Sequence, residues 1–474
     1  MTASLPYPKG GPGAGTHGGG RVVAFFDIGT NSIRLLVVCL HRDCTYHVLT
    51  RQKEVVRLGE GEFDDHCIRE SAIERAVVVC QRFIDLAHSF GVEEYVAVAT
   101  SATREAMNKN ALLPRLRQEA RLDVRIISGE EEARLIYLGV AGNMHLGDER
   151  AVFIDIGGGS TEIIVGGQHT YEVLASLPLG AIRLTNQFFA RGFDGSVSKK
   201  RYESICRSVN DVIARELSRF PVTIPGRAIG SSGTIINLAE IASRTSNGSR
   251  SSGPEVLDRK SLSRVISLLC SLPLKERRNV PGINPDRGDI IIAGAAVLDC
   301  LMEALSIERI EITGRGLQDG LLADYLTRME GFPLLGQLTV RDRSVLQFAR
   351  SCGVNEFHAR TVAKIALELF DSAGKAGLHG FGPEERELLL YATFLHDVGS
   401  FISYQDHQVH SHYLISNSDL PGFSRKEALI MATIARFHRK KAPGKQELSS
   451  TGLDPADQKK ARALVALLRM AESL

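Results

Sequence analysis

Phe26-Asp-Ile-Gly-Thr-Asn-Ser-Ile-Arg-Leu-Leu-Val37 lies 128 residues ahead of Ile154-Asp-Ile-Gly-Gly-Gly-Ser-Thr-Glu-Ile-Ile-Val165, and the two stretches align without a gap. Asp27/Asp155, Ile28/Ile156, Gly29/Gly157, Ser32/Ser160 and Val37/Val165 are identical. Duplication is the simplest account. In each copy an apolar run ends at Asp-Ile-Gly, turns through small polar residues and returns as a second apolar run, the pattern of a β-hairpin with a small-residue tip. One such tip is an ordinary glycine-rich turn. Two matching tips, Gly29, Thr30, Asn31 and Ser32 in one copy and Gly157, Gly158, Gly159, Ser160 and Thr161 in the other, offer backbone N–H groups that can clamp one phosphate chain from both sides.

Around these hairpins the first two thirds of the chain alternate strand and helix patterns. Val22–Phe26, Ile33–Leu40, Tyr95–Ala99, Val124–Ile127, Ala151–Ile154 and Glu162–Val165 read as short strands bounded by Gly, Ser or Asp. The texture changes near Phe332 and Pro333. Beyond it, helical periods run over Val340–Cys352, Glu356–Ala373, Pro383–His396, Arg425–Phe437 and Pro455–Leu474, an all-α region. Residues 1–20, with Lys9 the only charge and seven glycines between Gly10 and Gly20, read as a flexible tail; the Gly13-Ala-Gly-Thr-His-Gly18 match inside it opens no helix and is set aside.

With 474 residues there is chain for about three domains of roughly 150 residues each. The 57 basic and 55 acidic side chains leave a net charge of +2, so no global field recruits nucleic acid or a membrane surface, and a polyanion must be held locally. The longest apolar run, Ile290–Leu301, is 12 residues and contains Asp299, too short to span a bilayer. The eight cysteines (39, 44, 67, 80, 206, 270, 300 and 352) include no C-x-x-C pair and sit mostly in apolar segments, as reduced thiols of a cytoplasmic protein do. No P-loop, H-E-x-x-H or G-x-S-x-G motif occurs.

The chemistry-bearing residues cluster about the repeat. Asp27 and Asp155 close the first strand of each copy, where two carboxylates beside a phosphate call for a hard cation such as Mg2+; either can instead serve a local Asx turn. Ser128-Gly-Glu-Glu-Glu132 reads as a helix start, with Ser128 as N-cap and Glu131 at the capping-box position. Glu132 lies beyond the box and shares a stripe with Leu135 and Ile136, so a raised pKa suited to a general base is expected, against the plainer reading of a helix-dipole partner. Arg104 falls in a first helical turn after Thr100 or Ser101 and is either solvated or holds an anion. Gly230, Ser231, Ser232, Gly233 and Thr234 form a strand-to-helix turn, the helix starting near Thr234, that suits an anion or is simply a tight loop. In the helical region His358, His396-Asp397, His407, His410, His412 and His438 are numerous enough for a metal site or for scattered core and surface histidines.

These segments resemble the exopolyphosphatase / guanosine pentaphosphate phosphatase (Ppx/GppA) family over roughly residues 21–474. Asp27-Ile-Gly-Thr-Asn-Ser, Ser128-Gly-Glu-Glu-Glu-Ala-Arg, Asp155-Ile-Gly-Gly-Gly-Ser-Thr-Glu162 and Gly230-Ser-Ser-Gly-Thr occur in the family's order and approximate spacing. The resemblance implies an α/β fold of duplicated actin-like (sugar kinase/Hsp70) ATPase lobes, at 21–143 and 144–332, followed by an HD-like helical domain at 333–474. It implies Glu132 as catalytic base, Asp155 and Glu162 as Mg2+-side carboxylates joined by Asp27, and Arg104 with the tips around Asn31 and Gly158 as phosphate holders. The expected reaction is release of orthophosphate from the end of inorganic polyphosphate, with guanosine pentaphosphate as the alternative substrate, in a homodimer without specific nucleic acid. A kinase of the same fold and a nucleotide-sensing regulator without turnover are the remaining readings. Two departures stand out: Gly316-Leu-Gln-Asp-Gly320 replaces the family's usual Gly-Leu-Arg-Glu-Gly, and the chain ends Arg469-Met-Ala-Glu-Ser-Leu474 where HD-like relatives often continue through an aspartate.

Overall fold

The computed structural model describes residues 20–41, 45–216, 223, 225–245, 256–329 and 338–474, with the side chains of 64 and 445 excepted. The glycine-rich tail up to residue 19, Cys44 and the change of texture at Phe332 and Pro333 lie outside the described residues. The described parts form two compact units, an α/β unit up to Met329 and a helical unit from Leu338.

The duplication extends from the hairpins to whole sheets. In the α/β unit, β1 (Arg21–Ile28), β2 (Ser32–Leu40), β3 (Tyr46–Val55), β4 (Glu94–Ala99) and β5 (Arg125–Ile126) form a sheet ordered β3-β2-β1-β4-β5. A second sheet contains β6 (Ala151–Ile156), β7 (Thr161–Gly166), β8 (Tyr171–Leu177), β9 (Arg227–Ser231), β10 (Val256–Asp258) and β11 (Arg309–Ile312), ordered β10-β11-β9-β6-β7-β8. Reversed, β8-β7-β6-β9-β11 repeats the first sheet's order, and the pairing senses repeat too: antiparallel hairpins on one side, parallel strands on the other. This is the duplicated α/β architecture expected.

Strand alternation decides which residues face the space between the sheets. On β1, Ala24, Phe26 and Ile28 pack into an outer core while Val23 and Phe25 pack inward, so Asp27 falls on the inward face. On β6, Ala151 and Phe153 pack into that same inner core, and Asp155 shares their face. The helices Gly129–Ala141 and Leu317–Leu326, each following the last parallel strand of its sheet's repeat, fill the inner core between them. They approach through glycines: a Cβ on Gly139 would lie 2.2 Å from the Gly316 carbonyl oxygen, and one on Gly320 would lie 1.8 Å from that of Leu135. Side-chain bonds reinforce the association, among them the two contacts of Arg57 to Asp289 at 2.5 and 3.1 Å.

Several strands differ from the pattern reading. The segment Val124–Ile127 narrows to Arg125–Ile126. β3 and β8 carry no apolar run because each lies at a sheet edge with much of its length exposed, so the sequence conceals them. The apolar run at Ile290 is a helix, Ile291–Ala304, buried on nearly every side in the second sheet's outer core, which explains its unbroken hydrophobicity. Among the described residues no helix is long and apolar enough to cross a membrane. The seven described cysteines are free thiols.

The helical unit forms where expected: Val340–Ser351, Glu356–Lys375, Pro383–Leu395, Arg425–Arg436 and Pro455–Ser473, with His407–Asn417 added. Its core runs from Leu338 to Ala471 around the fully buried Tyr391 and Phe394.

The glycine contact between the two inner helices yields a stability prediction. Gly320→Ala is expected to lower the urea midpoint of the α/β unit, costing about 1–3 kcal/mol or more through overpacking. Gly226→Ala, at a position where an added Cβ meets nothing within 4 Å, is expected to leave the midpoint unchanged. Equal midpoints for both variants would contradict the packing described.

Candidate active site

The two hairpin turns have the same backbone bond: Gly29 N–H donates to the Ser32 carbonyl at 3.1 Å, and Gly157 N–H to that of Ser160 at 2.9 Å. Their tips meet. A Cβ built on Gly158 would stand 3.0 Å from Thr30 Cβ, and one on Gly159 2.5 Å from Ser101 Oγ. Beneath them Gly180 packs so tightly that its Cβ would lie 2.3 Å from the Gly158 carbonyl oxygen. Only glycine permits this approach. The two tips border one cleft, which Gly29, Thr30, Asn31, Ser32, Gly157, Gly158, Gly159 and Ser160 line together with Ser232 and Gly233.

The cleft floor is acidic. Asp27 and Asp155 are both drawn above the usual carboxylate range, chiefly by burial, and the charge on Asp155 raises Asp27 further. Asp155 Oδ2 accepts a 2.5 Å hydrogen bond from Ser231 Oγ, and Asp27 has Arg34 Nε at 3.9 Å. Glu132 enters from the first turn of its helix, whose N-cap is Ser128: the Ser128 hydroxyl accepts from Glu131 N–H at 3.1 Å. Burial pushes Glu132 up to about 7; the Arg104 guanidinium, at 3.0 Å from Oε2, pulls in the opposite direction, and Asp27 and Asp155 add to the rise.

Cations surround this floor. Arg34 on β2 and Lys53 on β3 are cross-strand partners, and Arg287 arrives from a turn before the helix Ile291–Ala304. Burial, Arg287 and Arg34 together lower Lys53 to about 8, and burial followed by Arg34 lowers Arg287 to about 10. Arg34 thus lowers both of its neighbours, and all three cations are gathered in the cleft lining. Arg51 and Arg315 extend the basic lining, both bound at 3.0 Å to the buried carboxylate of Asp319. In the departing Gly316–Gly320 segment, Gln318 is buried at the cleft wall with its Nε2 unbonded.

Several residues singled out from the sequence occupy different places from those expected. Arg104 does hold an anion, but that anion is Glu132, and its second contact is the Ile127 carbonyl at 3.0 Å. Thr100 makes no side-chain cap in front of it. Glu131 does not close a capping box; its carboxylate turns to Arg134 at 2.7 Å. Glu162 lies behind the cleft wall, fully buried, accepting from Ser176 Oγ at 2.8 Å, and burial with Glu132 and Asp155 nearby raises its pKa far above the usual range. Thr161 donates to the Leu179 carbonyl and Ser231 to Asp155, so these two hydroxyl protons are spent on internal bonds, while Thr234 Oγ1 accepts from Arg287 at 3.4 Å. Gly230 is buried against Ile235 and Ile310. The helix of this segment starts at Ser232, two residues earlier than expected, with Ser232 at φ +83° turning the chain into it.

Sequence reasoning passed over the cations. Arg34 lies inside the repeat, and a charge within the apolar run Ile33-Arg34-Leu35-Leu36 is the available signal. Lys53, Arg287 and Arg315 sit in polar segments and carry none.

The chain matches the Ppx/GppA phosphatase family over residues 37–329 and the Ppx/GppA phosphatase domain III over residues 340–474. It belongs to the Ppx/GppA phosphatase family. Among curated proteins it is 27% identical over 416 residues to a guanosine-5'-triphosphate,3'-diphosphate pyrophosphatase of Aliivibrio fischeri (strain MJ11), covering 88% of this chain and 80% of that one. A protein of the same name from Vibrio parahaemolyticus is 26% identical over 458 residues, 96% and 87% of the two chains. Among solved structures, an exopolyphosphatase from Cytophaga hutchinsonii superposes with TM-score 0.59 at 25% identity, covering 66% of this chain and 99% of that one. A family member from Aquifex aeolicus gives 0.53 at 26% identity, covering 65% and 99%. The α/β unit thus has the family's actin-like ATPase fold, and the chain is a phosphatase of phosphoanhydrides.

The crowding of Lys53 and Arg287 makes a binding prediction. Tripolyphosphate binding, measured by calorimetry, is expected to weaken about tenfold or more in Lys53→Met and in Arg287→Met, and to become less salt-dependent, because each cation of the cleft lining neutralises phosphate charge. Unaltered affinity in both variants would place the anion elsewhere.

Proposed function

We propose that the chain removes the 5'-terminal phosphate of guanosine 5'-triphosphate 3'-diphosphate, releasing orthophosphate. The observation that carries this reading is the single cleft in which duplicated turns, mutually repelling cations and a buried carboxylate of raised pKa converge. The choice of nucleotide rests on the curated relatives, which are named for it.

In the proposed reaction the N–H groups of the Gly29–Ser32 and Gly157–Ser160 turns hold the phosphate chain, and Arg34, Lys53 and Arg287 neutralise it. Glu132 accepts a proton from water as the water oxygen bonds to the terminal phosphorus. The bond from that phosphorus to the bridging oxygen breaks, and the bridging oxygen leaves with the electron pair on the remaining nucleotide. Positioning and charge neutralisation supply most of the acceleration in such a transfer. Arg104 orients Glu132 and restrains its pKa. Asp27 and Asp155 fit a hard divalent cation such as Mg2+: both are oxygen donors in the cleft lining, Asp27 buried and Asp155 half-buried, and the charge on Asp155 raises Asp27. Such an ion would offset phosphate charge. Glu162, set behind Asp155, supports this pair from the second strand.

Inorganic polyphosphate is the second reading, favoured by the basic lining that continues past the turns through Arg51 and Arg315 and by the exopolyphosphatase named among the structural neighbours. Phosphate release from the nucleotide and from long-chain polyphosphate decides between them. A kcat/KM at least tenfold higher for the nucleotide is expected, and the reverse order would transfer the assignment to polyphosphate.

A base must be ionised to act, so kcat/KM is expected to fall tenfold per pH unit below about 7, the raised value of Glu132. Glu132→Gln should lose about 10²–10⁴ in rate with its fold intact. Arg104→Ala removes the charge that favours the ionised form, so the acid limb should move to higher pH, by about one unit or more. A limb unmoved in Arg104→Ala, or full turnover in Glu132→Gln, would remove Glu132 from the role.

A further inference from the structure

The two duplicated turns are held from behind, and they are not held alike. In the first, the Thr30 carbonyl accepts from Gly59 N–H at 3.0 Å, and the Asn31 carbonyl accepts from Val56 and Arg57 N–H at 3.1 and 3.0 Å. In the second, the equivalent of Thr30 is Gly158, whose carbonyl accepts from Ile182 and Arg183 N–H at 2.8 and 3.1 Å, while the Gly157 carbonyl accepts from Ala181 N–H at 3.0 Å. The equivalent of Asn31 is Gly159. No backbone N–H among the described residues donates to its carbonyl; the donor is a side chain, Arg183 Nε at 2.7 Å.

A trans peptide points its N–H opposite to its C=O, and no cis bond occurs among the described residues. The carbonyls of Gly157, Gly158 and Gly159 are drawn towards the start of the helix Ala181–Phe188, so the N–H groups of Gly158, Gly159 and Ser160 turn the other way, on a turn that lines the cleft. None of the three donates to another backbone group among the described residues. Three successive glycines leave these peptide planes free to rotate unless something fixes them. Backbone bonds fix the first two planes. The third, between Gly159 and Ser160, depends on Arg183.

Arg183 is itself anchored across the duplication. Its Nη2 donates to both oxygens of Glu105, at 2.6 and 2.7 Å, and its guanidinium lies 4.0 Å from the centre of the Phe63 ring. Glu105 ends the helix Ser101–Glu105 in the first copy, and Ser101 Oγ donates to the same carboxylate at 2.9 Å. Arg183 stands outside the cleft lining, behind the turn it braces.

We propose, on the phosphoanhydride reading of the cleft, that Arg183 is a positioning residue: Glu105 holds its guanidinium, and the guanidinium holds the Gly159–Ser160 peptide with Ser160 N–H directed at the bound phosphate. A cation on the carbonyl side also polarises that peptide and strengthens its N–H as a donor.

Tripolyphosphate binding by calorimetry tests this, with every variant built on Glu132→Gln as parent so that the probe is not hydrolysed. Arg183→Met/Glu105→Gln removes one charge of each sign. Its affinity is expected to fall about tenfold while the salt dependence of the parent is kept, whereas Lys53→Met lowers affinity and salt dependence together. Arg183→Lys keeps a charge for Glu105 but not the planar fork, so it should fold as the parent does and bind about threefold or more weakly. Arg227→Met breaks the 2.9 and 3.0 Å bonds to Glu311 at the end of β9 opposite Ser231, and should bind as the parent does. Parent-level affinity in the double variant, or in Arg183→Lys where the double variant does not fold, overturns the proposal. So does an equal loss in Arg227→Met, or a salt dependence that falls as in Lys53→Met, which would make Arg183 a direct phosphate contact. A parent that binds no tripolyphosphate overturns the reading of the cleft, and the positioning role with it.

Discussion

Everything in the α/β unit depends on the contact between two glycine-rich turns. Thr30 of the first hairpin presses against Gly158 and Gly159 of the second, at distances no larger side chain would allow. Each turn is an ordinary hairpin tip on its own. Brought together, they place Asp27 and Asp155, which share the inward face of equivalent strands, in the lining of one cleft. The inner helices Gly129–Ala141 and Leu317–Leu326 enforce that approach through glycines of their own, and the first of them delivers Glu132 to the cleft.

The electrostatics follow from the same geometry. Burial raises Asp27, Glu132 and Asp155, and burial followed by neighbouring cations lowers Lys53 and Arg287. Neither group is at ease alone: the acids favour a cation and the bases a polyanion. A phosphate chain with an accompanying hard cation satisfies both, as the proposed reaction requires. Arg104 and Glu162 belong to the layer behind, one fixing Glu132 and the other packed beneath Asp155, and so they act through their neighbours.

The internal repeat made the fold and the centre of the site legible in the sequence, because hairpin tips and strand-end aspartates are local patterns. The helical unit was equally legible, since its apolar periods are long and regular. The edge strands β3 and β8 were hidden because half-exposed strands carry no apolar signature. Lys53, Arg287 and Arg315 were hidden for another reason: a lysine or arginine in a polar segment looks like any solvated charge until the fold gathers it into a cleft lining. His358, His396 and His438 looked in the sequence like a surplus of one residue type, and only helix packing shows that they meet Asp397 and Glu472.

The claim that both turns grip one phosphate chain is tested most directly by a crystal structure of the Glu132→Gln variant with a bound, unhydrolysed phosphoanhydride substrate. The account predicts phosphate oxygens within hydrogen-bond distance of N–H groups from both Gly29–Ser32 and Gly157–Ser160, with Lys53 and Arg287 alongside. A chain seated on one turn alone, or bound outside the cleft, would contradict it.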